Sequence, residues 1–238
     1  MGCLALTLFL VAAPSLWFVV RVSRRDGSIH GARRFVWQAL LCGLGAAVPV
    51  LLLLFFAEPY VRALAPGSET LVSLLVSSFL VAGLTEELFK LLAVQTCIVH
   101  RPEFDEATDG IRYTVAVSLG LAFLENAFYL TQPLPIVVLR SVFAVATHAT
   151  ASGVLGYFVG KAAFDRNAAG SPVPTLLKGL ALAALIHGGY DFLLRLGGGF
   201  AVLLVPWVVV WALVLSRLFH RAHVMDSEAR RPSRSPLA

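Results

Sequence analysis

Charge is scarce in this chain. Of 238 residues, 14% are Asp, Glu, Lys or Arg and 58% are hydrophobic. Soluble domains carry about 25% charged residues, so a water-soluble globule with a large core is excluded. Cysteine is scarce too. Cys3, Cys42 and Cys97 all lie in apolar segments, without CxxC or ligand-like spacing. Neither a disulfide framework nor a cysteine metal site is expected, and the three read as small buried hydrophobes. No HExxH helix is present, so the best-known single-helix zinc pattern is missing. There is no internal repeat and no pair of matching broken helices of the kind transporters use. The net charge of +5 could suggest nucleic acid, but the basic residues flank apolar blocks. That is a topology signal and not a nucleic-acid footprint.

What the chain does have is apolar blocks close to the ~20 residues that cross a hydrocarbon core. Seven spans are expected, at 2–20, 35–57, 71–99, 111–130, 135–160, 176–195 and 199–219. The first lacks a charged leading region and a small-residue cleavage site, so it reads as a retained span. The third is too long for one straight crossing, and a tilt or break is expected near Gly83. Fifteen of the nineteen Lys and Arg residues fall on one side. The positive-inside rule makes that side cytoplasmic, with the N-terminus out and the C-terminus in. The expectation is an all-α polytopic membrane protein. Residues 1–219 form one transmembrane helical domain with its core at about 71–195, and 220–238 form a disordered, basic cytoplasmic tail that meets anionic lipid. The acidic loop RPEFDEATDG, 101–110, reads as a solvated turn with a helix cap at Thr108 or Asp109.

Ionisable residues inside spans are costly and mark function when they persist. Glu86, Glu87 and Lys90 lie in the third span, Glu125 and Asn126 in the fourth, His148 in the fifth, and His187 and Asp191 in the sixth. At ~1.5 Å rise per residue, the topology sets these groups at compatible depth. Glu125 and Asp191 lie in the outer half. Glu86 and Lys90 share a helical face, as do His187 and Asp191. An ion pair between Glu86 and Lys90 is therefore expected, with Asp191 orienting His187. Glu87, Glu125 and His148 have no such partner in their own spans, so convergence on one polar cavity is expected. Asn126 reads as a packing residue, and Gly188–Gly189 as a site of close helix approach.

Several carboxylates with two histidines suit the activation of water. A carboxylate in an apolar site acts as general base, and a histidine donates a proton or steadies an oxyanion. The same groups also suit a divalent metal such as zinc, with His148, His187 and Glu125 as candidate ligands. Two other classes fit the residue types: a proton- or ion-coupled transporter, and a non-catalytic protein that holds a partner helix.

Five ordered motifs carry a resemblance. They are EELFK at 86–90, DEATDGIRY at 105–113, SLGLAFLEN at 118–126, the small-residue histidine helix THATASGVLGYFVG, and HGGYDF at 187–192. In this order and spacing, the chain resembles the PrsW family of intramembrane proteases, distant relatives of the CAAX-processing and bacteriocin-protection proteases. The family pattern has Gly and Phe where this chain has Ser118 and Leu121, positions that read as packing. The resemblance implies hydrolysis of membrane-anchored proteins, an anti-sigma factor among them. It implies catalytic roles for Glu86 or Glu87, Glu125, His148, His187 and Asp191, with structural support from Lys90 and Asn126. The Arg-over-Lys bias and the lack of organelle targeting fit the plasma membrane of a prokaryote.

Overall fold

The computed structural model describes Ala13 and residues 31–63, 70–165 and 170–230. Among the described residues every regular element is helical. The helices are α1 (Gly31–Ala63), α2 (Leu71–Cys97), α3 (Ala107–Ala127), α4 (Leu134–Phe164), α5 (Val173–Leu196) and α6 (Leu204–Ala229). A 3₁₀ turn, Gly198–Leu203, leads into α6. Five helices are long and apolar enough to cross a membrane: α1, α2, α4, α5 and α6 with its leading turn. The expected all-α membrane architecture holds. The count of seven is not reproduced: the span expected at 2–20 lies outside the described residues, and the one at 111–130 corresponds to α3, which is not among the five.

α3 is the axis of the bundle, with sixteen of its twenty-one residues buried. Because protein surrounds it, it does not need a lipid-facing apolar surface. Small residues let its neighbours come close. A Cβ on Gly110 would lie 2.4 Å from the Gly156 carbonyl oxygen of α4. The α2–α5 crossing is equally tight: a Cβ on Gly188 would lie 2.8 Å from both the Ser78 carbonyl oxygen and the Phe79 Cα. Backbones meet at glycine because membrane helices associate by close packing, without a hydrophobic force between them. These two crossings fix α4 and α5, the carriers of both histidines.

α2 and α4 each leave α-helical geometry on approaching the site. Val76–Leu84 in α2 and Arg140–Ala144 in α4 are π-helical. The first ends beside Gly83, where a break was expected. π turns hold an extra residue and recur at functional sites.

The far end corrects two expectations. The helix cap is Glu106, in a reciprocal box with Asp109, and Thr108 and Asp109 are fully buried. Asp226 of α6 accepts from the Ala107 N–H at 2.6 Å and the Thr108 N–H at 3.1 Å, which neutralises orphan donors at the start of α3. Arg230 pairs with Glu106. The last helix therefore continues to Ala229, and residues 220–229 are helical and docked rather than a disordered tail. The physical reason is a long-range cap between α6 and α3, which local composition does not reveal.

The glycine crossing is open to test. Gly110→Ala sets a methyl against backbone that cannot yield. Its cost is that of overpacking, about 1–3 kcal/mol or more, read as a lower melting midpoint in detergent. Gly45 has open space around its Cβ position, so Gly45→Ala is expected to leave the midpoint unchanged or raised.

Candidate active site

At the end of the bundle where α2, α4 and α6 begin and α3 and α5 finish, a cavity of about 820 Å³ penetrates the protein. Glu86, Glu125, Arg140, Asp191 and Arg195 are the charged residues of its lining, with Ser77, Tyr129 and Tyr190 beside them, and aliphatic side chains and Phe143 line the rest. Its size falls within the range of ligand pockets, about 300–1,000 Å³.

Lys90 is the hub beneath this cavity and is fully buried. It donates to Glu87 Oε1 at 2.7 Å and to His148 Nδ1 at 2.9 Å. Glu86 Oε2 is farther from it, at 3.7 Å. The expected Glu86–Lys90 ion pair is present but loose, and the hydrogen-bonded partner of Lys90 is Glu87, because the inward face of α2 points residues 87 and 90 at the same spot. Glu87 accepts two further bonds, from His187 Nδ1 at 3.0 Å and Ser152 Oγ at 2.8 Å. Both of its oxygens are engaged and it is fully buried, away from the residues that line the cavity. Breaking such a pair by removing one partner leaves an uncompensated buried charge, at about 3–5 kcal/mol.

The hydrogen bonds assign the histidine tautomers. His148 Nδ1 accepts from Lys90, which has only donors to offer. The His148 proton therefore sits on Nε2 and is donated to Glu125 Oε2 at 3.0 Å. His187 donates Nδ1–H to Glu87, leaving its Nε2 lone pair facing inward. The rings meet edge to face with centroids 4.8 Å apart. Each imidazole is backed by a carboxylate, the arrangement that orients histidine at metal and hydrolytic sites. Asp191 lies 3.9 Å from His187 Nε2, beyond hydrogen-bonding distance. Glu87, and not the expected Asp191, holds that ring.

Glu86 lies between the two inward nitrogens. Its Oε2 is 3.7 Å from His187 Nε2 and 3.9 Å from His148 Nδ1, is buried and has no hydrogen-bond partner. An orphaned buried acceptor is costly and points to a missing partner. One ligand atom from each of Glu86, His148 and His187 lies within 4.8 Å of the others. A tetrahedral ion with arms of about 2.0–2.2 Å needs ligands spaced only slightly closer than the two measured separations. The residues therefore fit a divalent metal, with Glu86 as carboxylate ligand in place of the expected Glu125. A bound ion would compete with Lys90 for His148 Nδ1.

Glu125 instead stands outside His148. Its other oxygen accepts from Arg140 at 2.6 Å, Arg140 Nε donates to Asn126 Oδ1 at 3.2 Å, and the guanidinium lies 3.7 Å over the Tyr129 ring. Arg140 is not among the residues singled out from the sequence. A lone arginine inside an apolar run was the available signal. Ser118 was also undervalued. Its hydroxyl lies 2.9 Å from both the His148 carbonyl oxygen and Ser152 Oγ, so it joins the polar network, while Leu121 does pack in the core. Asn126 is buried and bonded as a supporting residue, with Nδ2 unpartnered.

Comparison with known proteins places this geometry. The family model described as PrsW family intramembrane metalloprotease matches residues 31–216, which include every residue named in the site. Among similar proteins, a "Protease PrsW" of Oceanobacillus iheyensis is 36% identical over 148 residues, 61% of this chain and 67% of the relative. One of Bacillus subtilis is 35% identical over 133 residues, 56% and 60% of the two chains. One of Shouchella clausii is 30% identical over 210 residues, 87% and 92%. No solved structure matches the chain. Given a match across six described helices and a relative aligned over nearly its whole length, the chain belongs to the PrsW family of intramembrane metalloproteases and is a membrane-embedded protease.

Proposed function

We propose that the cavity over Glu86 hydrolyses a peptide bond of a membrane-anchored protein in the outer half of the bilayer. The observation that carries this reading is the unpartnered Glu86 Oε2, buried between two imidazole nitrogens at the floor of a cavity. Glu86 is the carboxylate that a water there would meet. The basic residues flanking the spans support an orientation with this cavity toward the outside. Bacterial relatives support the plasma membrane of a prokaryote. An anti-sigma factor is the substrate suggested by the family resemblance.

Glu86 Oε2, His148 Nδ1 and His187 Nε2 would hold the metal. When bound, such an ion supplies Lewis acidity that activates water and polarises a carbonyl. The chain's own residues handle the protons. Glu125 has both oxygens engaged. Asp191 lies on the cavity wall with 20% of its side chain exposed and makes no hydrogen bond among the described residues. Asp191 takes the proton of the attacking water and returns it to the leaving amine. Glu87 and Glu125 keep the imidazoles aimed, and the apolar wall admits an unwound hydrophobic segment.

Two outcomes follow in native cells with matched expression. Glu86→Gln is expected to leave a single-span membrane protein intact that the wild type clips near its outer boundary, with an unchanged melting midpoint. Glu87→Gln is expected to lose both cleavage and stability, because Lys90 is left buried beside a neutral partner. Cleavage by Glu86→Gln at the wild-type rate sinks the reading.

Metal analysis of purified protein provides a separate check. We expect about one equivalent of divalent ion, loss of activity on chelation, and recovery with zinc. The bound ion should be lost from His148→Gln and His187→Gln but retained by Asp191→Asn. Full activity after complete chelation would leave the water to Glu86 alone.

A further inference from the structure

Arg140 lies two turns before His148 on α4, yet both reach the same carboxylate. Arg140 Nη2 donates to Glu125 Oε1 at 2.6 Å, and His148 Nε2 to Glu125 Oε2 at 3.0 Å. In an unbroken α-helix, residues eight apart stand about 80° out of line, since each step turns about 100°. The π turn Arg140–Ala144 removes that offset, because it fits more residues into each turn. The irregularity in α4 thus does one identifiable thing: it brings an arginine and a histidine onto one face, where they grip opposite oxygens of Glu125.

The guanidinium is held on two further sides. Asn126 accepts from Nε at 3.2 Å, and Tyr129 underlies the plane at 3.7 Å. Only 12% of the side chain is exposed, so the ion pair is shielded and its geometry is fixed. A planar, forked donor suits this task where an ammonium would not. Glu125 on its own could rotate away from His148. With Oε1 pinned by Arg140, Oε2 is left as a fixed acceptor for His148 Nε2–H. Lys90 already fixes the tautomer from the Nδ1 side, and the bond to Glu125 holds the plane and direction of the ring.

We infer that Arg140 is a positioning residue. Through Glu125 it sets the orientation of the His148 ring, and the π turn of α4 places it to do so. This rests on the active-site reading above, in which His148 Nδ1 faces the reacting centre. Removing such an outer partner costs about 10–100-fold in activity or metal affinity.

The test uses the full-length protein in detergent, with ¹⁵N-labelled histidine rings observed by NMR and His148 assigned by comparison with His148→Gln. In the wild type, His148 is expected as the Nε2–H form. In Arg140→Gln it is expected to keep that form, because Lys90 still donates to Nδ1, with the Nε2–H resonance shifted and broadened as its bond to Glu125 loosens. In cleavage of the membrane protein identified by the Glu86 comparison, Arg140→Gln should lower kcat about 10–100-fold, with KM within about twofold. A double-mutant cycle then asks whether Arg140 acts through Glu125. Glu125→Gln with Arg140→Gln should be no slower than Glu125→Gln alone.

Multiplied losses in the double variant, or an unshifted His148 ring, overturn the inference. If Arg140→Gln does not fold, Arg140→Lys carries the test. An amine pairs with Glu125 but lacks the planar fork that also engages Asn126, so a smaller shift of the Nε2–H resonance is expected, and its absence overturns the proposal equally. The ring spectrum needs no substrate, so the outcomes separate. Cleavage surviving Glu86→Gln removes the active-site reading. A normal His148 ring in the Arg140 variants removes only this one.

Discussion

Lys90 is the group on which the rest depends. A cation fully buried inside a membrane bundle must have its donors satisfied, and here Glu87 and the His148 ring do so. The ion pair with Glu87 is not optional, because an unpaired charge at this depth would neutralise or disrupt the helices. Once Lys90 is fixed, Glu87 is fixed, and Glu87 in turn holds His187 and Ser152. Ser152 reaches Ser118, and Ser118 reaches the backbone at His148. One buried ion pair therefore ties α2, α3, α4 and α5 together and aims both imidazoles at a common point.

The adjacent glutamates divide the work between structure and chemistry. They are neighbours on α2, but Glu87 points into the network and is saturated, while Glu86 points to the cavity and has an unpartnered oxygen. A helix turns about 100° per residue, so a pair of identical residues meets two different environments. This explains why two carboxylates stand together where one would already be costly. The saturated one supports the histidines so that the other can stay unsatisfied.

The remaining architecture protects that imbalance. Glycine crossings at Gly110–Gly156 and Gly83–Gly188 bring the backbones close enough for short side chains to bridge the helices. The π turns in α2 and α4 adjust the phase of each helix before it reaches the site. At the far end, Asp226 of α6 caps α3 and fixes the start of the helix that carries Glu125 at its other end. Distance from the chemistry does not make the cap irrelevant, since a rotation of α3 would move Glu125 as well.

Much of this was legible in the sequence, for a clear physical reason. A membrane core tolerates few ionisable groups, so each of Glu86, Glu87, Lys90, Glu125, His148, His187 and Asp191 stood out against an apolar background. Length and apolarity announced the spanning helices. The sequence alone therefore determined the helical membrane class and the set of residues that meet. It did not determine who bonds whom. Spacing of i,i+4 favoured Glu86 with Lys90 and His187 with Asp191; the folded chain keeps these as loose contacts at 3.7 and 3.9 Å and gives the hydrogen bonds of both Lys90 and His187 to Glu87. Those choices depend on which way each helix faces its neighbours, and glycine contacts and π turns set that direction. Arg140, Ser118 and Asp226 were missed for the same reason: each acts on another helix, and only tertiary packing brings such partners within hydrogen-bonding reach.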